Sequence, residues 1–378
     1  MRVLLVASRY LPHLGGVENV VWNLTQELTQ LGHQVRIVAS RYPRTLPAYE
    51  LIGGVPVRRL IFLYPRLEHL RNRRFDLFAG GFWYCPSTLW ALRRELMSFR
   101  PDVLHMHFLG AAGLFLLLQH HLHPFRWVVT LHGDDVEGLP PRRPLDHWLF
   151  HRVLDHADRV TACSKALLGE ALALHPAMRA KATVVCNGID LTRFMQGSPF
   201  DHPRRYVFAV GQLARKKGFD VLLRAFAELK GEFPEVDLLI AGDGVERQAL
   251  ESLLADLGLR GRAVLLGRTE PPDVVRLLKG SLFQVVPSIL EPFGIVALEG
   301  MAAGKVVLAT RTGGLPEFVD GVGLLVEPGD VRSLASGLRL LLTDSSLRAE
   351  LGARGLQQAK RFAWSEQIVP QYLTLYQG

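Results

Sequence analysis

Two carboxylates eight positions apart, Glu291 and Glu299, bracket a Pro292-Phe293-Gly294 turn, and the run Ile295 to Ala303 behind it reads as a helix. Gly294 then sits at a helix N-terminus, where free backbone N–H groups and the positive end of the helix dipole favour a phosphate. Glu299 lies about one turn into that helix, within reach of a polar group beside the phosphate, such as a ribose diol. Glu291 stands before the turn, near whatever hangs off the other side. The chemistry such a pair serves is that of a sugar nucleotide.

A second constellation, Gly211-Gln-Leu-Ala-Arg-Lys-Lys-Gly218, follows a predicted strand and precedes a helical run. Its cations Arg215, Lys216 and Lys217 suit a diphosphate through charge-assisted bonds, although a solvated basic turn would read the same. Gly15-Gly16-Val17-Glu18 opens the first helix and leaves amides free at its start, as any tight turn there would. Neither a P-loop nor a G-x-G-x-x-G pattern occurs. Gly242-Asp243-Gly244 follows another strand and is a further donor-side candidate at Gly242.

His132-Gly-Asp-Asp135 ends a buried strand. A histidine there can bond a sugar hydroxyl, donate to a leaving phosphate or shuttle a proton. Asp134 and Asp135 have no further acid or histidine to complete a metal shell, so no metal is expected. His105 and His107 flank Met106 and alternate onto one face of their strand. A satisfied core histidine is the reading for His105, while His107 is an acceptor-side candidate.

These residues need a scaffold, and the pattern supplies one. Strands are expected at Arg2 to Ala7, Val35 to Ala39, Val57 to Leu63, Val103 to Met106, Trp127 to Leu131, Arg159 to Ala162 and Thr183 to Val185. The second half repeats the scheme at Tyr206 to Val210, Val236 to Ala241, Ala263 to Leu266, Leu282 to Val286 and Val306 to Ala309. Apolar strands alternating with amphipathic helices imply parallel sheets covered on both faces. The fold class is therefore α/β, with two Rossmann-like doubly wound domains facing a cleft. At 378 residues, two domains are also the prior from length. The expected division is 1–196, 197–362 and a C-terminal helix over 363–378. Ligands in such sheets gather at the carboxyl ends of the strands, where several of the candidates fall, among them His132 to Asp135, Gly211 to Gly218, Gly242 to Gly244 and Ser288 to Gly294.

Composition, at 48% apolar and 21% charged, is that of a globular enzyme. Cys85, Cys163 and Cys186 show no C-x-x-C spacing, which argues against a disulfide framework or a structural zinc and fits a cytoplasmic setting. Met1 to Ala7 reads as a first strand and not as a signal peptide. The net charge of +8 is carried by residues 1–195, which hold 23 Lys and Arg against 15 Asp and Glu. Arg58 to Arg74 interleaves six arginines with Phe62, Leu63, Tyr64, Leu67 and Leu70, a mix that suits either a solvated loop or a foot resting peripherally on an anionic membrane. Nucleic acid is not an expected partner. Arg41 to Pro56 and Leu63 to Pro86 read as loops of the first domain.

The ordered set of motifs resembles the retaining glycosyltransferases of family 4, with their two-domain GT-B architecture, and the likeness runs nearly end to end. It includes Gly15-Gly16-Val17-Glu18, His105-Met106-His107, His132-Gly133, Asn187-Gly188-Ile189-Asp190, Lys217-Gly218, Gly242-Asp243-Gly244, Glu291 through Glu299 and Gly313-Gly314-Leu315-Pro316-Glu317. The resemblance implies transfer of a sugar from a nucleotide diphosphate sugar to a glycan, lipid-linked or small-molecule hydroxyl, with retention and without a metal or other cofactor. A UDP-sugar is the favoured donor and a GDP-sugar the second. It also implies that Glu299 holds the ribose and Glu291 the donor sugar. The amides from Phe293 to Val296, with Lys217 and Arg215, would stabilise the departing diphosphate, and His132, with His107 and Asp134 on the acceptor side, would touch sugar or acceptor. Many relatives have arginine where this chain has Gln212. Two other readings stand beside this one: a sugar-nucleotide epimerase, and a sugar-nucleotide-binding protein with degraded catalysis.

Overall fold

The computed structural model describes residues 1–13, 15–65, 71–137 and 144–377. The chain divides into two compact units. The first holds residues 1–163, 167–185 and those from Trp364 onward; the second holds 164–166 and 186–363.

In the first unit the strands are β1 (Arg2–Ala7), β2 (Gln34–Ser40), β3 (Tyr49–Ile52), β4 (Val55–Leu60), β5 (Val103–His107), β6 (Trp127–Leu131), β7 (Arg159–Ala162) and β8 (Ala182–Val184). They form one sheet in the order β3-β4-β2-β1-β5-β6-β7-β8, parallel except for β3, which pairs antiparallel with β4. Helices α1 (Gly16–Gln30), α2 (Phe75–Phe99), α3 (Ala112–Leu122), α4 (Pro144–His156) and α5 (Lys165–Leu174) connect them. The apolar stripe of α1 buries Val20, Val21, Leu24 and Leu28. That helix ends where Gly32, at φ 80°, lets His33 N bond back to Leu28 O. Strands β5 and β6 are buried at every residue, as a parallel sheet covered on both faces requires.

The second unit carries β9 (Arg205–Val210), β10 (Val236–Ala241), β11 (Ala263–Gly267), β12 (Gln284–Val286), β13 (Val307–Thr310) and β14 (Leu324–Val326). Their order is β11-β10-β9-β12-β13-β14, all parallel. Its helices are α6 (Leu191–Met195), α7 (Phe219–Leu229), α8 (Arg247–Asp256), α9 (Pro271–Gly280), α10 (Ile295–Ala302), α11 (Pro316–Val319), α12 (Val331–Thr343) and α13 (Ser345–Ala359). Its core joins Leu222 and Phe226 of α7, Leu238 and Ile240 of β10 and Leu334, Leu338 and Leu341 of α12. The last helix, α14 (Val369–Gln377), packs on α1 in the first unit.

Three expectations change. The division falls at Cys186 and not at 197. Ile189 bridges Ala363, with its N–H on Phe362 O at 2.8 Å, and α6 packs against α9 and α10, so the segment after β8 already belongs to the second unit. Arg41 to Pro56 is not wholly loop, because Gly53 and Gly54, at φ 55° and 80°, turn β3 into β4 as a two-residue hairpin. Nor is Leu63 to Pro86 wholly loop: α2 begins at Phe75 and contains Pro86.

Candidate active site

In the second sheet β9 and β12 are neighbours although ninth and twelfth in chain order, so connections leave this pair in opposite directions. That is the switch point of a doubly wound sheet, where a crevice opens at the carboxyl ends. The loops after these two strands carry Arg215–Lys217 and Ser288–Gly294, and they clasp each other. Ile289 and Leu290 both donate N–H groups to Lys216 O, at 2.8 and 3.2 Å. Gly218, at φ 66°, lies so close to Pro287 that a Cβ would stand 2.1 Å from its carbonyl oxygen. The clasp sets Lys217 Nζ 2.6 Å from Glu291 Oε2, to which Ser288 Oγ also donates at 3.0 Å. Glu291 is 7% exposed. A carboxylate so buried is tolerated because an ammonium and a hydroxyl satisfy it.

The loop after β13 braces Glu291 from behind. Thr310 Oγ1 donates to Ser288 O at 2.5 Å, Thr312 Oγ1 to Ile289 O at 3.1 Å and Gly314 N to Glu291 O at 3.1 Å. A Cβ on Gly313 would lie 1.9 Å from that same Glu291 oxygen, which explains a glycine there. Ser164 Oγ bonds Pro292 O at 2.6 Å. Gly313-Gly314 thus shapes the Glu291 loop.

Gly294, at φ 103°, begins α10 with no side-chain cap. The amides of Ile295 and Val296 donate to no described residue, leaving the donors of a helix N-terminus open. The Phe293 side chain is core, tilted on Phe318 at 5.2 Å between ring centres, so only its backbone belongs to the turn. Burial pushes the Glu299 carboxyl above its ordinary range, opposed by the Arg193 charge. Arg193, on α6, was not singled out in the sequence; its place on a short helix just after Asn187-Gly188 gave no signal. Arg215 is exposed, and its guanidinium makes no ion pair or hydrogen bond with a described residue. Gly242, at φ 133°, would carry a Cβ 1.9 Å from Gly211 O, so its first duty is to let the loops after β9 and β10 touch.

The switch point of the first sheet lies between β1 and β5. After β1, Gly16 is the exposed first residue of α1, but the Glu18 carboxylate folds back over this helix start, 2.4 Å from where a Gly15 Cβ would be. A phosphate at Gly16 therefore requires Glu18 to swing away. At the ends of β5 and β6, His107 Nδ1 meets His132 Nε2 at 3.2 Å, with the rings stacked at 5.4 Å. His105 bonds Tyr376 OH and Thr130 Oγ1, each at 2.6 Å, and is a satisfied core histidine as read. Burial pushes His105 and His132 down to about 3 and His107 well below its ordinary value, so all three are neutral.

Asp134, the acceptor-side candidate, is exposed, and its neighbour does the structural work. Asp135 accepts from the N–H groups of His132, Gly133 and Leu109 at 2.9–3.3 Å, fixing the turn that presents His132. Burial pushes Asp135 up to about 6 against the pull of those donors. The D-D pair in the sequence concealed which acid faces inward.

The Arg58–Arg74 reading needs correction. Arg59, on β4, is 2% exposed and bonds Glu50 and Leu11 O, and Tyr64 is buried, so neither can rest on a surface. Arg66, Leu67 and Leu70 lie outside the described residues. Among the described residues no cluster of three His, Cys, Asp or Glu could hold a metal ion, and no helix is long and apolar enough to cross a membrane.

Two doubly wound α/β units define the GT-B class of fold. A solved sucrose-phosphate synthase from Thermosynechococcus elongatus shares it with a TM-score of 0.82 at 24% identity, covering 99% of this chain and 98% of that one. An Anabaena protein in complex with UDP-glucose superposes with a TM-score of 0.77 at 19% identity, covering 99% of each chain. Residues 14–193 match the family model Glycosyltransferase Family 4, and residues 191–358 match Glycosyl transferases group 1. A D-inositol 3-phosphate glycosyltransferase of Corynebacterium jeikeium is 31% identical over 93% of this chain and 88% of its own length. The chain belongs to this family, group 1 and family 4, and is a glycosyltransferase.

Proposed function

We propose that the enzyme is a retaining glycosyltransferase that moves a sugar from a nucleotide diphosphate sugar to an acceptor hydroxyl without a bound metal. The observation that carries this is the Lys217–Ser288–Glu291 cluster set beside the open amides of α10 at the switch point of the second sheet. A leaving diphosphate gathers negative charge as the glycosidic bond lengthens. Lys217, Arg215 and the amides of Ile295 and Val296 supply fixed positive charge and dipoles for it, the service a divalent cation gives elsewhere. Glu299, which burial inclines toward sharing a proton, takes the ribose hydroxyls, and Glu291 takes a hydroxyl of the donor sugar. The turn after β6 offers His132 as a neutral hydrogen-bonding group for sugar or acceptor. In the front-face course that the family resemblance implies, the acceptor proton passes to the departing phosphate oxygen. Among donors a UDP-sugar is favoured, in keeping with the UDP-glucose bound by the Anabaena protein of the same fold, and a GDP-sugar stands second. An epimerase reading has no support in the family matches.

A thermal-shift series of the whole chain against UDP, GDP, ADP and their sugar conjugates, with and without magnesium, tests the donor. A ligand that binds only the folded state must raise the melting temperature. A magnesium-independent shift selective for one base is the expected result. Stabilisation that requires magnesium would overturn the metal-free reading, and the absence of any shift would remove the donor assignment. The anomeric configuration of the first product, read by NMR, tests retention.

A further inference from the structure

Helix α2 has two apolar faces, and only one of them is used. Its inner face buries Gly81, Thr88, Leu92 and Phe99. On the outside Phe75 is 61% exposed, Phe82 61%, Trp83 78%, Trp90 63% and Met97 53%. At about 100° per residue those five side chains fall within an arc of roughly 100°, while the four buried ones cluster on the opposite side. The outer stripe is therefore no mis-turned core face.

Polar bonds on the inner side prevent it from rotating inward. Thr88 Oγ1 donates to Ile61 O at 2.8 Å, Gln119 Nε2 of α3 to Leu89 O at 3.2 Å, and Glu95 takes Arg36 Nη1 at 2.7 Å. At Gly81 a Cβ would lie 2.3 Å from Pro65 N, so the helix is pressed onto the chain that continues from β4. An exposed apolar stripe of this size on a fixed helix marks an interaction surface.

The charges around the stripe choose the partner. Residues 71–100 hold Arg71, Arg73, Arg74, Arg93, Arg94 and Arg100 against only Asp76 and Glu95. Arg74 holds Asp76, and Glu95 is turned to the inner face. Arg93 lies within the apolar arc and Arg94 beside it, its guanidinium 5.6 Å from the Trp90 ring. Against a second copy of this chain, Arg93 would be buried with no acid on the stripe to pair with, an expensive arrangement. At a lipid surface the same arginine meets phosphate while the aromatic rings enter the headgroup boundary, the preferred depth of tryptophan. With Arg93, Arg94 and Glu95 in its second half the helix lies in the interface and does not cross it.

We propose that the outer face of α2 docks the enzyme on an anionic membrane surface, with Phe75, Phe82, Trp83, Trp90 and Met97 dipping into the headgroup layer and Arg93 and Arg94 pairing with lipid phosphates. The surface is distinct from the Lys217–Glu291 cluster and does not rest on the donor assignment. It places this transferase where an acceptor carried on a lipid would be presented.

The test is flotation of the full-length chain with vesicles of phosphatidylcholine containing about a third phosphatidylglycerol, with pure phosphatidylcholine vesicles as the neutral arm. The expected result is binding to anionic vesicles, at least about fivefold weaker for each of Arg93→Gln and Arg94→Gln. The double variant Phe82→Ser, Trp83→Ser should lose binding while keeping the wild-type melting temperature. Brominated lipids should quench the fluorescence of Trp83 and Trp90 in the bound protein. Binding that is indifferent to these substitutions, or none to anionic vesicles, would overturn the proposal. So would a dimer in light scattering that the Trp83→Ser change dissociates, which would assign the stripe to self-association.

Discussion

Both sheets keep a polar cluster at their switch point, and the two clusters are electrostatic opposites. In the second unit Lys217 and Glu291 face each other as an ion pair at 2.6 Å, with Ser288 completing the carboxylate. In the first, His132, His107 and His105 form a column of rings from which burial has removed the charge. The same strand-loop-helix geometry thus yields a charged cluster at one switch point and a neutral one at the other, which in the proposed reaction would meet the phosphates and the hydroxyls respectively. What decides between them is the loop chemistry. A clasp between two loops brings a lysine to the glutamate, whereas a buried aspartate ties the histidine turn to its own backbone.

The largest effect that could break this contrast should come from the ion pair. Lys217→Ala is expected to lower kcat/KM by about a thousandfold, as for loss of an oxyanion-stabilising donor, and Glu291→Gln, which weakens the contact to the donor sugar in the transition state, by a similar factor. Glu291→Gln should leave nucleotide binding nearly intact. Wild-type turnover in that variant, measured with saturating donor, would remove Glu291 from the reaction. His132→Ala comes next, with a loss of about a hundredfold. Because the ring is already neutral, His132→Gln should recover part of the rate, and a variant no better than alanine would mean that a proton, and not a hydrogen bond, is what His132 supplies.

The contrast sharpens with pH. Histidines held below their unfolded value contribute stability that is complete above about pH 6.5 and is lost as pH falls toward 3. Urea unfolding at a series of pH values should show the first unit weakening through that window, with His107→Asn shallowing the slope by about one proton. Asp135 acts in the opposite sense. Its carboxyl is raised, so its contribution is full below about pH 4 and fades as pH rises through about 6. Asp135→Asn should therefore steepen the acid loss, and identical slopes in both variants would contradict the assignment. The smallest expected change is at exposed Gln212: Gln212→Arg, which places there the cation that the family resemblance leads one to expect, should lower the donor KM within about tenfold and leave kcat unchanged.

Much of this was legible in the sequence because parallel strands buried on both faces are unbroken apolar runs. Arg2–Ala7, Trp127–Leu131, Arg159–Ala162 and Val236–Ala241 coincide with the observed strands. The edge strands β3 and β14 escaped, being short and half-buried, although Gly53-Gly54 was a readable hairpin signal. Glu291 and Lys217 were singled out separately, but nothing in the one-dimensional pattern says that Lys216 O receives two amides from the opposite loop. Asp134 and Asp135 look alike as letters, and only the turn decides which is buried. Helix α2 was obscured by Pro86 and by apolar residues on both faces, a pattern without the single stripe that marks an ordinary surface helix.

The bond between His105 and Tyr376 joins residues 271 positions apart, and Tyr372 and Tyr376 are buried in the first unit beside it. On the ribosome, the whole second unit emerges before the segment that seals the first. The later-made half can therefore finish folding while the earlier-made half still waits, an inversion of the usual N-to-C order of domain folding. A nascent chain stalled after Ala363 and fully extruded should accordingly show a protease-resistant second unit and a cleavable first one, and resistance of both would mean that the histidine column closes without its tyrosine.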